Sequence, residues 1–513
     1  MSLRPARSPT LVGVLESASP VEVDGAGSVR TVDVELEWWI GAEDRWHRPA
    51  QEVAVRRQLL DGAPVVQTLL RIPGGDARVL GYGAVVAGRE LTVLEVNNDS
   101  RSPVAVALVA RSSTAGERTW RPDGARLYCD GSVLLAANRP ADGFVMAADL
   151  DTLAEVLAAS SGGEPTTVDG DAAAGAVALV FALAHGSGVR FLVAPQLRSE
   201  DRIDVSPLDA PSAEGVIRGW RRQLDATCRF GLGDERAELE AFERRCRLLL
   251  SRQASSSADI SALAAFGHGA EAARRLNAAL SELRPPVPAE YAAALLVAAS
   301  DVVTWADDDR EAAQLSALLA GPALELVRWA GHRPRRWGRR RAAVDSTSLV
   351  AHWAAKRLLA RHGEAGVAPD GAAADAATVR VVTAHRAATF AGDGDGSALL
   401  ALRFALVADD GGRGLDLLPG WQDLWRGRML DVHGLRTAFG SLAFALRWHG
   451  TRPALLWELS VPAAAAHTVP NGPILSIARL DPTFVTGLQQ GETLLAEPSA
   501  GSASAPNGAD VAR

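Results

Sequence analysis

The residues here whose types could do chemistry are carboxyls set beside aromatic rings. "SDVVTWADDDREAAQL" (300–315) places Asp307, Asp308, Asp309 and Glu311 next to Trp305. "PVPAEYAAALL" carries Glu290 and Tyr291, and "AAVDSTSLVAHW" carries Asp345 with His352 and Trp353. Cleaving a glycosidic bond needs two carboxyls, one protonated and one ionised, roughly 5–10 Å apart across the bond. Asp307 and Asp308, with Glu290 or Asp345 as the second acid, are the catalytic candidates. Trp305 and Trp337 are the candidate stacking platforms. Each of these acids also suits an N-cap or a first helical turn, where the helix dipole favours negative charge. A second group lies in "ALRWHGTRPALLWEL" (445–459), where Trp448 and His449 are candidates for substrate contact. Its alternation, Phe444, Leu446 and Trp448 against Ala445, Arg447 and His449, reads as a hairpin with one buried face.

Other stretches carry less. "HRPRRWGRRR" (332–341) gathers six Arg around Trp337, which suits phosphate, an acidic polymer or a sugar acid, and equally a solvated helix end. "EWWIGAEDRWHRP" collects Trp38, Trp39, Trp46, Glu43, Asp44 and His47, and reads as a strand-end aromatic cluster buttressing a sandwich. "AGDGDGSALL" (391–400) falls short of a calcium loop and reads as a hairpin turn. Metalloprotease, P-loop, nucleophile-elbow and kinase motifs are absent from the sequence, and Cys129, Cys228 and Cys246 form no CxxC pair. No metal and no cofactor is expected.

The elements that must position these residues fall into three runs. Up to about residue 225 the pattern is β: "TVDVELEWWI" and "ELTVLEVNND" alternate with period two, "PVAVALVARS" and "GVRFLVAP" continue it, and Gly/Asp/Asn turns punctuate it. "DLDTLAEVLAAS" is a short helix inside this run. From Asp234 the period lengthens. "DERAELEAFERRCRLLL" spaces Leu239, Phe242, Cys246 and Leu249 by three and four, with Asp234 as N-cap. Further helices are predicted near 258–283 (broken at Gly267 and Gly269), 288–304, 308–331 and 346–361. After a linker, "LLALRFALV" and the segments that follow read as strands. The expected organisation is multidomain α+β: an N-terminal β-sandwich (1–230), a helical hairpin domain (234–363), a linker (364–377), a C-terminal β domain (378–497) and a disordered tail (498–513).

That order resembles the six-hairpin glycosidases, the glucoamylase-like and glycogen-debranching-like hydrolases. The resemblance rests on "EWWIGAEDRWHRPAQEVAVRRQLLDGAPVVQTLLRIPGGDA", "LTVLEVNNDSRSPVAVALVAR", "GWRRQLD" and "FGSLAFALRWHGTRPALLWE". It implies a supersandwich-like N-terminal module and an (α/α) toroid. Twelve helices need about 170 residues at the least, and Asp234 to Gly363 supplies 130, so a partial toroid of about six helices is expected. The family's acidic motifs have no clear counterpart. The resemblance therefore implies a carbohydrate-active protein with reduced or lost catalysis. An active inverting hydrolase of α-glucans or α-glucosides and a non-enzymatic interaction scaffold are the alternatives.

Composition narrows the partners. The chain has 513 residues, a net charge of −8, 48% hydrophobic and 22% charged residues, and Lys356 as its one lysine. An oligo- or polysaccharide is expected as partner, with neither nucleic acid nor membrane. A cytoplasmic location is expected from the low cysteine count and from an N-terminal apolar run too short for a signal peptide.

Overall fold

The computed structural model describes residues 9–114, 117–159, 171–197, 206–250, 256–284, 287–306, 314, 350, 354, 392–409, 414–461 and 473–497. The fold is mixed α+β, and nearly all of its strand pairs are antiparallel. The chain divides into two compact units, residues 1–222 with 249–252, and residues 223–248 with 253–513.

In the first unit an eight-stranded sheet runs in the order Thr10–Val12, Val21–Val23, Val29–Arg30, Val34–Gly41, Val104–Ser112, Ala176–Leu183, Gly143–Ala147, with Trp46–His47 beside Val34–Gly41. A nine-stranded sheet faces it across one core, shared by Leu36, Trp38, Ile40 and Leu108 from one sheet and Leu70, Val79, Val96 and Phe191 from the other. Period two explains why strand 34–41 is buried throughout. Leu36, Trp38 and Ile40 point inward, while Glu35, Glu37 and Trp39 point to the outer face. Helix α1 (Leu150–Ala159) covers that outer face, packing Leu153 and Leu157 with Trp39, Ala107 and Val109. A second helix, α2 (Ala213–Asp225), lies where the sequence reading ended its β run. Ala213, Ile217, Trp220 and Leu224, spaced by four, three and four, are its buried positions.

In the second unit, helices α3 (Glu235–Leu250), α4 (Ser257–Ala265), α5 (Gly269–Glu282) and α6 (Ala289–Thr304) follow in turn. Asp234 caps α3, its Oδ1 accepting from the Arg236 N–H at 3.1 Å. Of the predicted face of α3, Cys246 and Leu249 are buried and Phe242 half-buried, while Leu239 is 44% exposed and Ala241 and Arg245 are buried beside them. Of the predicted helices at 308–331 and 346–361 only Gln314, Val350 and Ala354 are described, all three helical; the rest of both and the linker lie outside the described residues. "LLALRFALV", expected as a strand, is instead helix α7 (Asp395–Leu406), and "AGDGDG" leads into it rather than into a hairpin. Its buried residues Leu399, Leu400, Arg403 and Leu406 recur at helical spacing, so the helical period prevails over the β-prone composition.

Two sheets complete this unit. A five-stranded antiparallel sheet is ordered Arg229–Gly231, Leu430–Thr437, Gly440–His449, Arg452–Ser460, Gln490–Leu494. A four-stranded sheet, Val407–Asp409, Gly414–Leu417, Ile474–Ile477, Asp481–Thr486, contains one parallel pair. The hairpin read from alternation is present, with Phe444 opposite Trp457, Leu446 opposite Leu455 and His449 opposite Arg452. Gly450 at its tip takes φ 64°, a left-handed conformation that glycine adopts without steric cost. Among the described residues no helix is long and apolar enough to cross a membrane.

Candidate functional site

Of the sequence-predicted site residues, Asp307, Asp308, Asp345 and Trp337 lie outside the described residues. Glu290 stands exposed in the first turn of α6, and its neighbour Tyr291 is 43% exposed. Trp305 follows α6 directly, its N–H donating to the Asp301 carbonyl at 2.9 Å. The ring is 1% exposed, and the guanidinium of Arg403 from α7 lies over it at 4.8 Å. At that depth it offers no open face to a sugar; its place is in the helical packing.

The helices do bury a carboxylate that sequence reasoning passed over. Asp301 is 3% exposed and accepts from the Ser261 hydroxyl of α4 at 2.9 Å. The signal was an acid inside the apolar run "AAALLVAASDVVT", four residues before Trp305. Such a residue needs a partner to be buried at all, and here the partner joins α6 to α4.

Trp448 and His449 are not brought together. Alternation along strand 440–449 places Trp448 on the side of the buried Phe444 and Leu446, and turns His449 to the opposite side with Arg447, where both are exposed. Trp448 instead meets two tryptophans that the sequence reading did not select. Its ring centroid is 6.3 Å from that of Trp421, which in turn stands edge-on to Trp425 at 5.9 Å. Both spacings suit favourable aromatic contact. Local structure sets this geometry. Leu418 is buried with φ 53°, uncommon for a residue with a side chain, and the Trp421 N–H returns to its carbonyl at 3.0 Å across Pro419 and Gly420. A short 3-10 turn, Asp423–Trp425, then drives Trp425 inward to 3% exposure.

Trp421 and Trp448 remain half-buried, and Leu424 and Met429, close to Trp425 in the chain, are 45% and 59% exposed. The Nε1 of Trp448 is buried and has no hydrogen-bond partner among the described residues. Gln422 and Asp423 are exposed in the turn between the first two rings. This is an apolar platform with polar edges, suited to holding a flat, partly apolar ligand face.

The "EWWIGAEDRWHRP" stretch is spent on internal contacts of the first unit. The Trp46 indole donates to the Leu157 carbonyl of α1 at 3.0 Å. His47 is buried between Asp44 Oδ1 at 2.9 Å and Glu52 Oε1 at 3.0 Å, and Arg45 pairs with Glu52 at 2.6 Å. The hydrogen bond from Arg45, followed by that from His47, holds the Glu52 carboxyl below its ordinary range. The hydrogen bond from His47 does the same for Asp44. The cluster is a clip fastening Trp46–His47 and α1 to the sheet. Among the described residues no group of His, Cys, Asp and Glu is placed to hold a metal ion.

No family model matches the chain. No curated protein matches it. Among solved structures it is similar to a bacterial glucoamylase complexed with acarbose, at 9% identity over 79% of this chain and 69% of that one, with a TM-score of 0.45. A likeness so loose leaves function to be argued from this chain's own residues.

Proposed function

We propose that the protein binds oligo- or polysaccharide through the Trp421–Trp425–Trp448 platform and is a six-hairpin glycosidase-like protein with reduced or lost catalysis. The observation that carries the reading is two half-buried indoles in contact, Trp421 and Trp448, the first of which also stands edge-on to the buried Trp425. Sugar rings present C–H faces to aromatic surfaces and hydroxyls to the polar groups around them. The sequence resemblance favours the same ligand class. On this reading residues 1–230, 234–363 and 378–497 are the sandwich, helical and C-terminal β modules, and any remaining hydrolysis falls to Asp307 or Asp308 with Glu290 or Asp345.

The test uses the full chain on immobilised glycogen and starch. Trp421→Ala and Trp448→Ala should each weaken retention about tenfold, equivalent to about 1.4 kcal/mol. Reducing-sugar release from maltose, trehalose and glycogen should stay at the level of the uncatalysed control. Release that disappears in Asp307→Asn or Asp308→Asn would establish the hydrolase alternative instead. Retention unchanged in both tryptophan variants would remove the platform from the account.

A further inference from the structure

The geometry of the tryptophan platform is set where its turn meets α7. Strand Val407–Asp409 leaves α7 directly and pairs with Gly414–Leu417, Val407 standing opposite Leu417. The next residue, Leu418, is thereby brought back against the end of α7, and its N–H donates to the Leu406 carbonyl at 2.8 Å. Two residues on, the Gly420 N–H donates to the Ala405 carbonyl at 3.2 Å. The last carbonyls of a helix have no partner within it, so the turn that carries Trp421 is seated on groups that α7 leaves unsatisfied.

This seat demands space of Gly420, not an unusual torsion. The left-handed residue of the turn is Leu418, at φ 53°, whereas Gly420 is not among the residues with positive φ. A Cβ on Gly420 would lie 2.7 Å from both the Cα and the Cβ of Ala405, and 3.4 Å from its carbonyl oxygen. No rotamer change relieves that contact, because helix backbone stands on the far side. A residue with a Cβ at 420 must lift the turn off α7. The Trp421 N–H is held to the Leu418 carbonyl at 3.0 Å, so Trp421 moves with the turn, and its spacing from Trp448 and Trp425 changes.

We infer that Gly420 is the positioning residue of the platform: its missing side chain lets the end of α7 fix the 42° tilt between Trp421 and Trp448. On the binding reading proposed above, on which this consequence rests, glycan affinity then depends on a residue that touches no ligand. The same end of α7 is held from the other side by Arg403, which donates to the Val407 and Arg436 carbonyls. The seat beneath Trp421 is therefore fixed, and it is the turn that yields when the contact is overfilled.

The experiment uses the full chain and reads ring geometry separately from binding. Indoles this close give a coupled circular-dichroism signal, and Trp421→Ala defines the share of it that Trp421 contributes. Gly420→Ala should abolish that share. Ala405→Val, which adds bulk from the helix side of the same contact, should reduce it. Gly394→Ala, whose Cβ would meet nothing within 4 Å, should leave it intact. Leu418→Ala should lower the unfolding midpoint, through volume lost from a fully buried site, yet keep the signal, because the turn's backbone hydrogen bonds remain. On immobilised glycogen Gly420→Ala should weaken retention about tenfold. Adding Trp421→Ala to it should weaken retention no further than Trp421→Ala alone. An intact Trp421 signal in folded Gly420→Ala and Ala405→Val proteins overturns the assignment, as does an additive loss of retention in the double variant. A signal lost in both, with no glycogen retention even by the wild type, upholds the positioning role and removes the platform's ligand instead. Should Gly420→Ala not fold, Ala405→Val decides.

Discussion

Arg403 shows how much a single side chain can decide. It is fully buried on α7, between the rings of Trp305 and Phe404. It donates to the carbonyls of Val407 at 2.9 Å and Arg436 at 3.1 Å, and its Nη2 reaches both oxygens of Asp409 at 3.2 Å. A charge taken this far from water is tolerable only with such partners, and removing one member strands the other. Arg403→Ala should therefore destabilise the chain by about 3–5 kcal/mol in urea unfolding. Arg403→Met combined with Asp409→Asn should cost clearly less, because no uncompensated charge remains. A loss below about 1 kcal/mol for Arg403→Ala would mean that water replaces the guanidinium. The same guanidinium lies over the buried Trp305 ring at 4.8 Å. A sequence offers Trp305 and Asp307 as neighbours, but only the fold supplies the arginine, nearly a hundred positions later, that closes over the ring.

At the scale of elements, legibility followed periodicity. The hairpin at 440–460, the break between α4 and α5, and helices α1, α3 and α6 were readable because burial imposes a period of two or of 3.6 on the sequence. Two elements escaped. α2 is strongly amphipathic, but its Ile217, Trp220 and Leu224 sit among charges that mimic a loop. α7 is so apolar that its pattern fits either period, a known ambiguity of short buried runs. The tryptophan platform was only a third legible. Trp448 belonged to a recognisable strand, whereas Trp421 and Trp425 are positioned by a left-handed leucine and a 3-10 turn that carry no period. Packing between α7 and α4 gives a test at this scale. A Cβ on Gly396 would stand 2.5 Å from the Asp259 nitrogen, while one on Gly394 would meet nothing within 4 Å. Helix propensity alone would make Gly396→Ala stabilising by about 1 kcal/mol. The clash with backbone should reverse the sign to a loss of about 1–3 kcal/mol, with Gly394→Ala within about 0.5 kcal/mol of wild type. Chemical denaturation of the two variants decides it, and a stabilised Gly396→Ala protein would refute the contact.

Across the whole molecule, each unit carries buried thiols that report on its own core. Cys129 belongs to the nine-stranded sheet of the first unit, and Cys228 and Cys246 lie in the second. Burial pushes Cys129 and Cys246 up to about 12 and Cys228 up to about 11. The reactive species is the thiolate, so at pH 8 the native protein should leave a thiol-specific disulfide reagent unconsumed. All three should react once denaturant opens the units. The same shifts set a pH dependence with a definite sign. An unfolded cysteine loses its proton near pH 8.5, whereas the native ones hold theirs to about 11–12. Above pH 8.5 the native state therefore binds more protons than the unfolded state, and stability falls as pH rises toward 12. This contribution is complete below pH 8.5 and erodes above it. Urea midpoints measured from pH 7 to 10.5 should drop on the alkaline side, and replacing the three cysteines by Ala or Ser should flatten that limb. An unchanged alkaline slope in the cysteine-free protein, or rapid native labelling at pH 8, would show that these cores admit water.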